Sequence, residues 1–135
     1  MNLILILSFF SLTLKAPDNQ GLIIIRSEPV KVFDPMLYAF QKVESNFDTD
    51  TINRLGYGGI LQIGQEMIDE ANRICRIEGI NQSFTLTDRL DSTKSVQVWY
   101  IVQNYWNPYY TLRKACHVWN PLASVRYYQK IKANL

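Results

Sequence analysis

Two polar side chains eighteen positions apart, Glu44 and Gln62, lie within the stretch VESNFDTDTINRLGYGGILQI, residues 43–63. Phe33, Leu37, Phe40 and Glu44 recur at helical spacing, and Met36, Phe40, Val43 and Phe47 form a neighbouring line. Glu44 therefore closes an apolar stripe instead of joining the polar face. A carboxyl group beside apolar side chains loses solvation when it ionises, so its pKa rises. Such a group can act as a general acid, for instance by protonating the leaving oxygen of a glycosidic bond. Gly56, Gly58 and Gly59 let backbone approach a ligand without Cβ clashes. Gln62 then has an amide to offer a hydroxyl or an N-acetyl group. The plain alternative is a helix-end glutamate with its head in water. Asp48 and Asp50, the nearest other acids, read most simply as turn formers.

The elements that must position these residues are mainly helical. Asp34 is a candidate N-cap and Pro35 suits the first helical position, so a helix starts there and carries Glu44 near its end. Residues 48–59 read as a polar, glycine-rich loop. The run Ile60-Leu61-Gln62-Ile63 is either a strand or the start of a second helix, with a small hairpin expected near 57–63. A helical stripe runs from Gln65 to Glu78 and stops at Gly79. Residues 80–91 are loop-like. A further helix is expected from Ser92 to Tyr105, ended by Asn107-Pro108. Helices near 110–119 and 122–132 follow, separated around Asn120-Pro121.

Composition bounds the function. A chain of 135 residues, 47% hydrophobic and 19% charged, suits one domain with one core. A net charge of +2 is too mild to argue for nucleic acid. Eight Tyr, six Phe and three Trp suit a carbohydrate groove, a protein interface or plain core filling. Residues 3–14, LILILSFFSLTL, are too short to cross a bilayer. They fit the apolar region of an export signal with Ala16 near the cleavage site, so residues 1–16 are read as a signal peptide. Residues 17–33 then form a linker or short strand, with the apolar run Leu22–Ile25, and residues 34–135 the functional domain. Cys75 and Cys116 allow one disulfide or two buried thiols. No metal-ligand spacing is present. His117, the single histidine, reads as structural or surface, and no cofactor is called for.

Glu44-Ser45 followed by Gly59-Ile60-Leu61-Gln62-Ile63 resembles the soluble-type lytic transglycosylases and the related goose-type lysozymes. Those families carry Glu-Ser at a helix end, a polar turn, then Gly-Leu-Met-Gln-Ile or a close variant, with a similar interval. Asp91 to Trp106 resembles the family's next helix, and His117-Val118-Trp119-Asn120 its Ala-Ala-Tyr-Asn motif. Tyr127-Tyr128-Gln129-Lys130-Ile131 is similar to its closing Tyr-x-x-Val helix. The resemblance covers residues 35–131. It implies a lysozyme-like α+β fold with a small hairpin beside the cleft, and cleavage of the bond between N-acetylmuramic acid and N-acetylglucosamine. Glu44 would be the catalytic acid and base. Ser45, Gly59, Gln62, Trp119 and Asn120 would bind or orient the substrate. Trp119 departs from the family's Tyr and loses its hydroxyl, and Asn120 is followed by Pro-Leu in place of a glycine-containing turn.

The implied partners are peptidoglycan glycan strands, reached by an exported monomer that serves wall growth, a secretion system or a virion. A lysozyme-like hydrolase of the same bond stays open. So does a non-catalytic wall-binding or virion module.

Overall fold

The computed structural model describes residues 33–135. The expected export segment 1–16 and, apart from Phe33, the linker or strand 17–33 lie outside the described residues. Residues Asp34–Leu135 form one compact, mainly helical unit. Its helices are α1 (Pro35–Glu44), α2 (Gln65–Glu78), α3 (Ser92–Trp106), α4 (Leu112–Trp119) and α5 (Val125–Lys132). Helix α3 packs against α2 and α4, while α5 returns to α1 and α4. Among the described residues no helix is long and apolar enough to cross a membrane.

Asp34 caps α1, its Oδ1 accepting from the amides of Met36 (3.0 Å) and Leu37 (3.1 Å). Its Oδ2 accepts from the hydroxyls of Tyr100 (2.8 Å) and Tyr110, so one carboxylate ties α1 to α3 and to the α3–α4 corner. Burial and the neighbouring Asp34 push the Tyr100 hydroxyl up to about 12 and raise that of Tyr110 as well. Gly79 ends α2 in the left-handed conformation, with φ of 66°. Tyr110, with φ of 49°, keeps the chain out of helix until Thr111, so α4 starts later than expected from periodicity. Leu122 to Ser124 are likewise loop, and α5 begins at Val125.

Trp99 sits at the centre of the core, fully buried, with Phe40 of α1 on one side (ring centroids 4.5 Å) and Trp119 of α4 on the other (4.8 Å). Cys75 and Cys116 are both buried as free thiols. The polar groups of the α3–α4 corner satisfy one another. The Asn107 amide donates to Gln103 (3.1 Å) and to the Thr111 carbonyl (3.0 Å), and the Gln103 amide donates to Ala115.

The segment between α1 and α2 differs from both sequence-based alternatives. Ile60, Leu61 and Gln62 form a turn, not a strand or a helix start. In place of a continuous hairpin ladder there are two isolated antiparallel bridges, in which Gly58 pairs with Ile52 on one side and Ile63 on the other. The reason is steric. Left-handed backbone at Gly59 (φ 74°) and Gln62 (φ 49°) folds the run back so that Ile60, Leu61 and Ile63 all point into the core. A regular strand would have sent alternate residues to solvent. Residues Leu86–Leu90, expected as loop, make a single 3-10 turn in which Asp88 accepts from the Thr85 amide (2.7 Å).

Candidate active site

Glu44 ends α1, and its carboxyl group is largely withdrawn from water. The Tyr127 hydroxyl, from α5, donates a hydrogen bond to its Oε1. Burial raises the pKa of Glu44 above the ordinary carboxylate value of 4.5, and the Tyr127 bond pulls against that rise. Tyr127 itself is pushed up, first by burial and then by the adjacent carboxylate. The pair thus combines an acid that favours its proton with a donor that stabilises its anion.

The next residues fix where Glu44 stands. The Ser45 hydroxyl donates to the Ile60 carbonyl (2.9 Å), binding the end of α1 to the glycine turn. Asn46 (φ 53°) and Phe47 (φ 67°) then turn the chain sharply in left-handed backbone. Asp48 does what turn chemistry expects of it, its Oδ1 accepting from the amides of Asp50 (2.9 Å) and Thr51 (3.2 Å).

Glu44 faces a groove of about 410 Å³ whose walls include Asn53, Tyr57, Gln62, Trp119, Asn120 and Leu122. Three of the sequence-derived site residues, Gln62, Trp119 and Asn120, therefore share one groove with Glu44. Ser45 and Gly59 do not line it; they support it from behind. At Gly59 an added Cβ would come within 1.8 Å of the Arg89 carbonyl oxygen, so only glycine lets the turn pack against the 86–90 segment.

Two side chains differ from expectation in what they have to offer. The Gln62 amide nitrogen donates to the Gly59 carbonyl (3.1 Å) and the Thr51 carbonyl (3.4 Å), and its oxygen accepts from Asn53 (3.1 Å). Its donors are used inside the turn, so it braces the groove wall. The Trp119 indole N–H donates to the Leu61 carbonyl (3.2 Å), and the ring is nearly buried. Both residues hold the turn's shape beside Glu44. The hydroxyl that reaches the Glu44 carboxyl group comes from Tyr127.

Tyr127, Asn53 and Tyr57 were not among the candidates drawn from the sequence. The signal for Tyr127 is its helical spacing with Ile131, which gives it an inward face, but no local pattern names its partner 83 residues away. Among the described residues no group of three or more His, Cys, Asp or Glu side chains is arranged to hold a metal ion. No family model, curated protein or solved structure matches this chain.

Proposed function

We propose that the protein is a peptidoglycan lytic transglycosylase on a lysozyme-like α+β fold, with Glu44 as its acid and base. The observation that carries this reading is the state of Glu44. It is the one carboxylate among the residues lining its groove, its pKa is raised by burial, and a tyrosine hydroxyl holds one of its oxygens. Most glycosidases flank the bond with two carboxylates. A lone acid fits a reaction in which the substrate supplies the second group.

The steps are those the resemblance implies. Tyr127 occupies Oε1, leaving Oε2 to carry the proton toward the groove. Protonated Glu44 gives this proton to the glycosidic oxygen, and the C1–O bond of the muramic residue breaks. The substrate's own N-acetyl group stabilises the positive charge developing at C1. Glu44, now a carboxylate steadied by Tyr127, takes the proton from the muramic 6-hydroxyl. That oxygen bonds to C1, closing a 1,6-anhydro ring and returning the acid to its starting state. A pKa placed between the demands of acid and base serves both halves of the cycle.

In this reading Asn120 and Tyr57 contact the sugar directly. Gln62, Gly59, Ser45 and Trp119 keep the wall in place. The substrate puts the protein at the cell envelope, with residues 1–16 as its export signal. The test is mass spectrometry of purified peptidoglycan digested with the protein. Fragments ending in 1,6-anhydromuramic acid are expected. Ends carrying one added water would make the enzyme a hydrolase, and no release by folded protein would overturn the catalytic assignment.

A further inference from the structure

Beyond the Glu44 groove the cleft continues into a second recess of about 410 Å³. The two share Tyr57, Gln62, Trp119, Pro121 and Leu122, so they form one trough. The far end is built around Trp106, the last residue of α3. The residue is 44% exposed, whereas Trp99 and Trp119 are buried. An exposed tryptophan on a helix end ordinarily samples several rotamers, but this one is held from three directions. Its indole N–H donates to Glu70 Oε1 (2.6 Å). Arg73 donates to both oxygens of the same carboxylate, each at 2.7 Å, and lays its guanidinium over the Trp106 ring at 5.8 Å. Tyr105 meets the ring edge-on, with centroids 5.0 Å apart. One α2 carboxylate, itself clamped by an arginine, thus fixes an aromatic face in the wall of the recess.

We infer that Trp106 is a second saccharide-binding subsite, on which a ring of the same glycan strand stacks when the strand occupies Glu44. A pyranose presents an apolar C–H face to an indole and a rim of hydroxyl donors. Glu66, which lines the same recess, supplies a carboxylate acceptor for that rim. The pre-ordered ring lowers the entropic cost of binding, which is how a shallow site gains affinity. The shared lining gives the occupant: a strand seated at Glu44 and extended past Trp119 on this side enters the Trp106 recess. The identity of the sugar rests on the glycan-cleaving reading above.

The test uses the full chain carrying Glu44→Gln, so that ligand is not consumed. N-acetylglucosamine disaccharide and hexasaccharide are titrated in, with binding followed by calorimetry and tryptophan fluorescence. The added change Trp106→Ala is expected to weaken hexasaccharide binding about tenfold, the scale of a tryptophan anchor, while leaving the disaccharide unchanged. Trp106→Phe is expected to recover most of the loss, and circular dichroism melts confirm that both variants fold. Equal hexasaccharide affinity with and without the Trp106 ring would overturn the subsite, as would the absence of saturable binding. The two readings fail separately. Trp106-dependent binding without wall cleavage by the unaltered protein would sink the catalytic proposal and keep the subsite. Wall cleavage with Trp106-independent binding would do the reverse.

Discussion

Gly59→Ala is the sharpest test of how the glycine turn builds the groove. The new Cβ would meet the Arg89 carbonyl oxygen at 1.8 Å and its carbon at 2.8 Å. A carbon–oxygen contact needs about 3.3 Å, so the two backbones must part by about 1.5 Å. The Arg89 oxygen is not free to move. It accepts from the hydroxyl of Ser95 (2.7 Å), which is fully buried in the first turn of α3. Three costs combine: about 1 kcal/mol for left-handed backbone, about 1–3 for a compromised buried hydrogen bond, and about 1–3 for forced repacking. The total, about 3–7 kcal/mol, is a large part of the roughly 5–15 kcal/mol that holds a small domain. Gly79→Ala is the control inside the same molecule. Its φ of 66° imposes the backbone cost, but its Cβ would meet nothing within 4 Å, so about 1 kcal/mol is expected. Urea denaturation of the two variants reads the difference directly as a shift in midpoint. If Gly59→Ala lost no more than Gly79→Ala, the close approach to Arg89 would not be what demands glycine.

Further outcomes follow from the Glu44–Tyr127 pair. Glu44→Gln keeps the shape and removes the acid, so fragment release is expected to fall at least about 10²–10⁴-fold in an assay of soluble products. The same change alters stability with a definite sign. Because the folded state holds the Glu44 proton more tightly, wild-type stability from this group is full below 4.5 and is lost as pH rises through the raised value. Glu44→Gln is spared that loss, so its stability relative to wild type should grow with pH in paired melts; a gap that shrank would contradict a desolvated acid. Tyr127→Phe removes the bond that lowers the Glu44 pKa, so the alkaline limb of the pH–activity profile should move to higher pH, and a limb that stayed put or moved down would dissociate Tyr127 from the acid. Asp48→Asn should leave activity within about twofold, because its carboxylate serves two turn amides. A loss comparable to that of Glu44→Gln would instead give the reaction a second carboxylate.

Helix boundaries were legible wherever a residue carries its instruction locally. Asp34-Pro35, Gly79 and Asn107-Pro108 end or begin helices by backbone rules that need no tertiary partner. The Ile60–Ile63 run was not legible, because four residues cannot distinguish periodicities and their burial is decided by Gly59 and Gln62 together. Asp34 shows the same division within one side chain. Its Oδ1 follows the capping rule, while its Oδ2 takes hydroxyls from Tyr100 and Tyr110, more than sixty positions away. Glu44 could be singled out from its place on an apolar stripe. Its partner could not, since Tyr127 is joined to it only by the packing of α5 on α1.

That division bears on how the groove works. A ten-residue helix has little stability of its own, so the position of Glu44 must be imposed from outside α1. At one end Asp34 anchors the helix to α3 and the corner beyond it; at the other, Ser45 binds the glycine turn and Tyr127 binds the carboxyl group. Between them Phe40 rests on Trp99, whose other neighbour, Trp119, holds the Leu61 carbonyl of that same turn. The acid and the wall opposite it therefore share one aromatic core, and a displacement of either is resisted by the other. Gln62 and Trp119 use their polar groups to maintain this frame. What remains facing the groove beside this frame is the Glu44 carboxyl group, with Asn53, Tyr57 and Asn120 and the apolar side chains of Leu55, Pro121 and Leu122 around it.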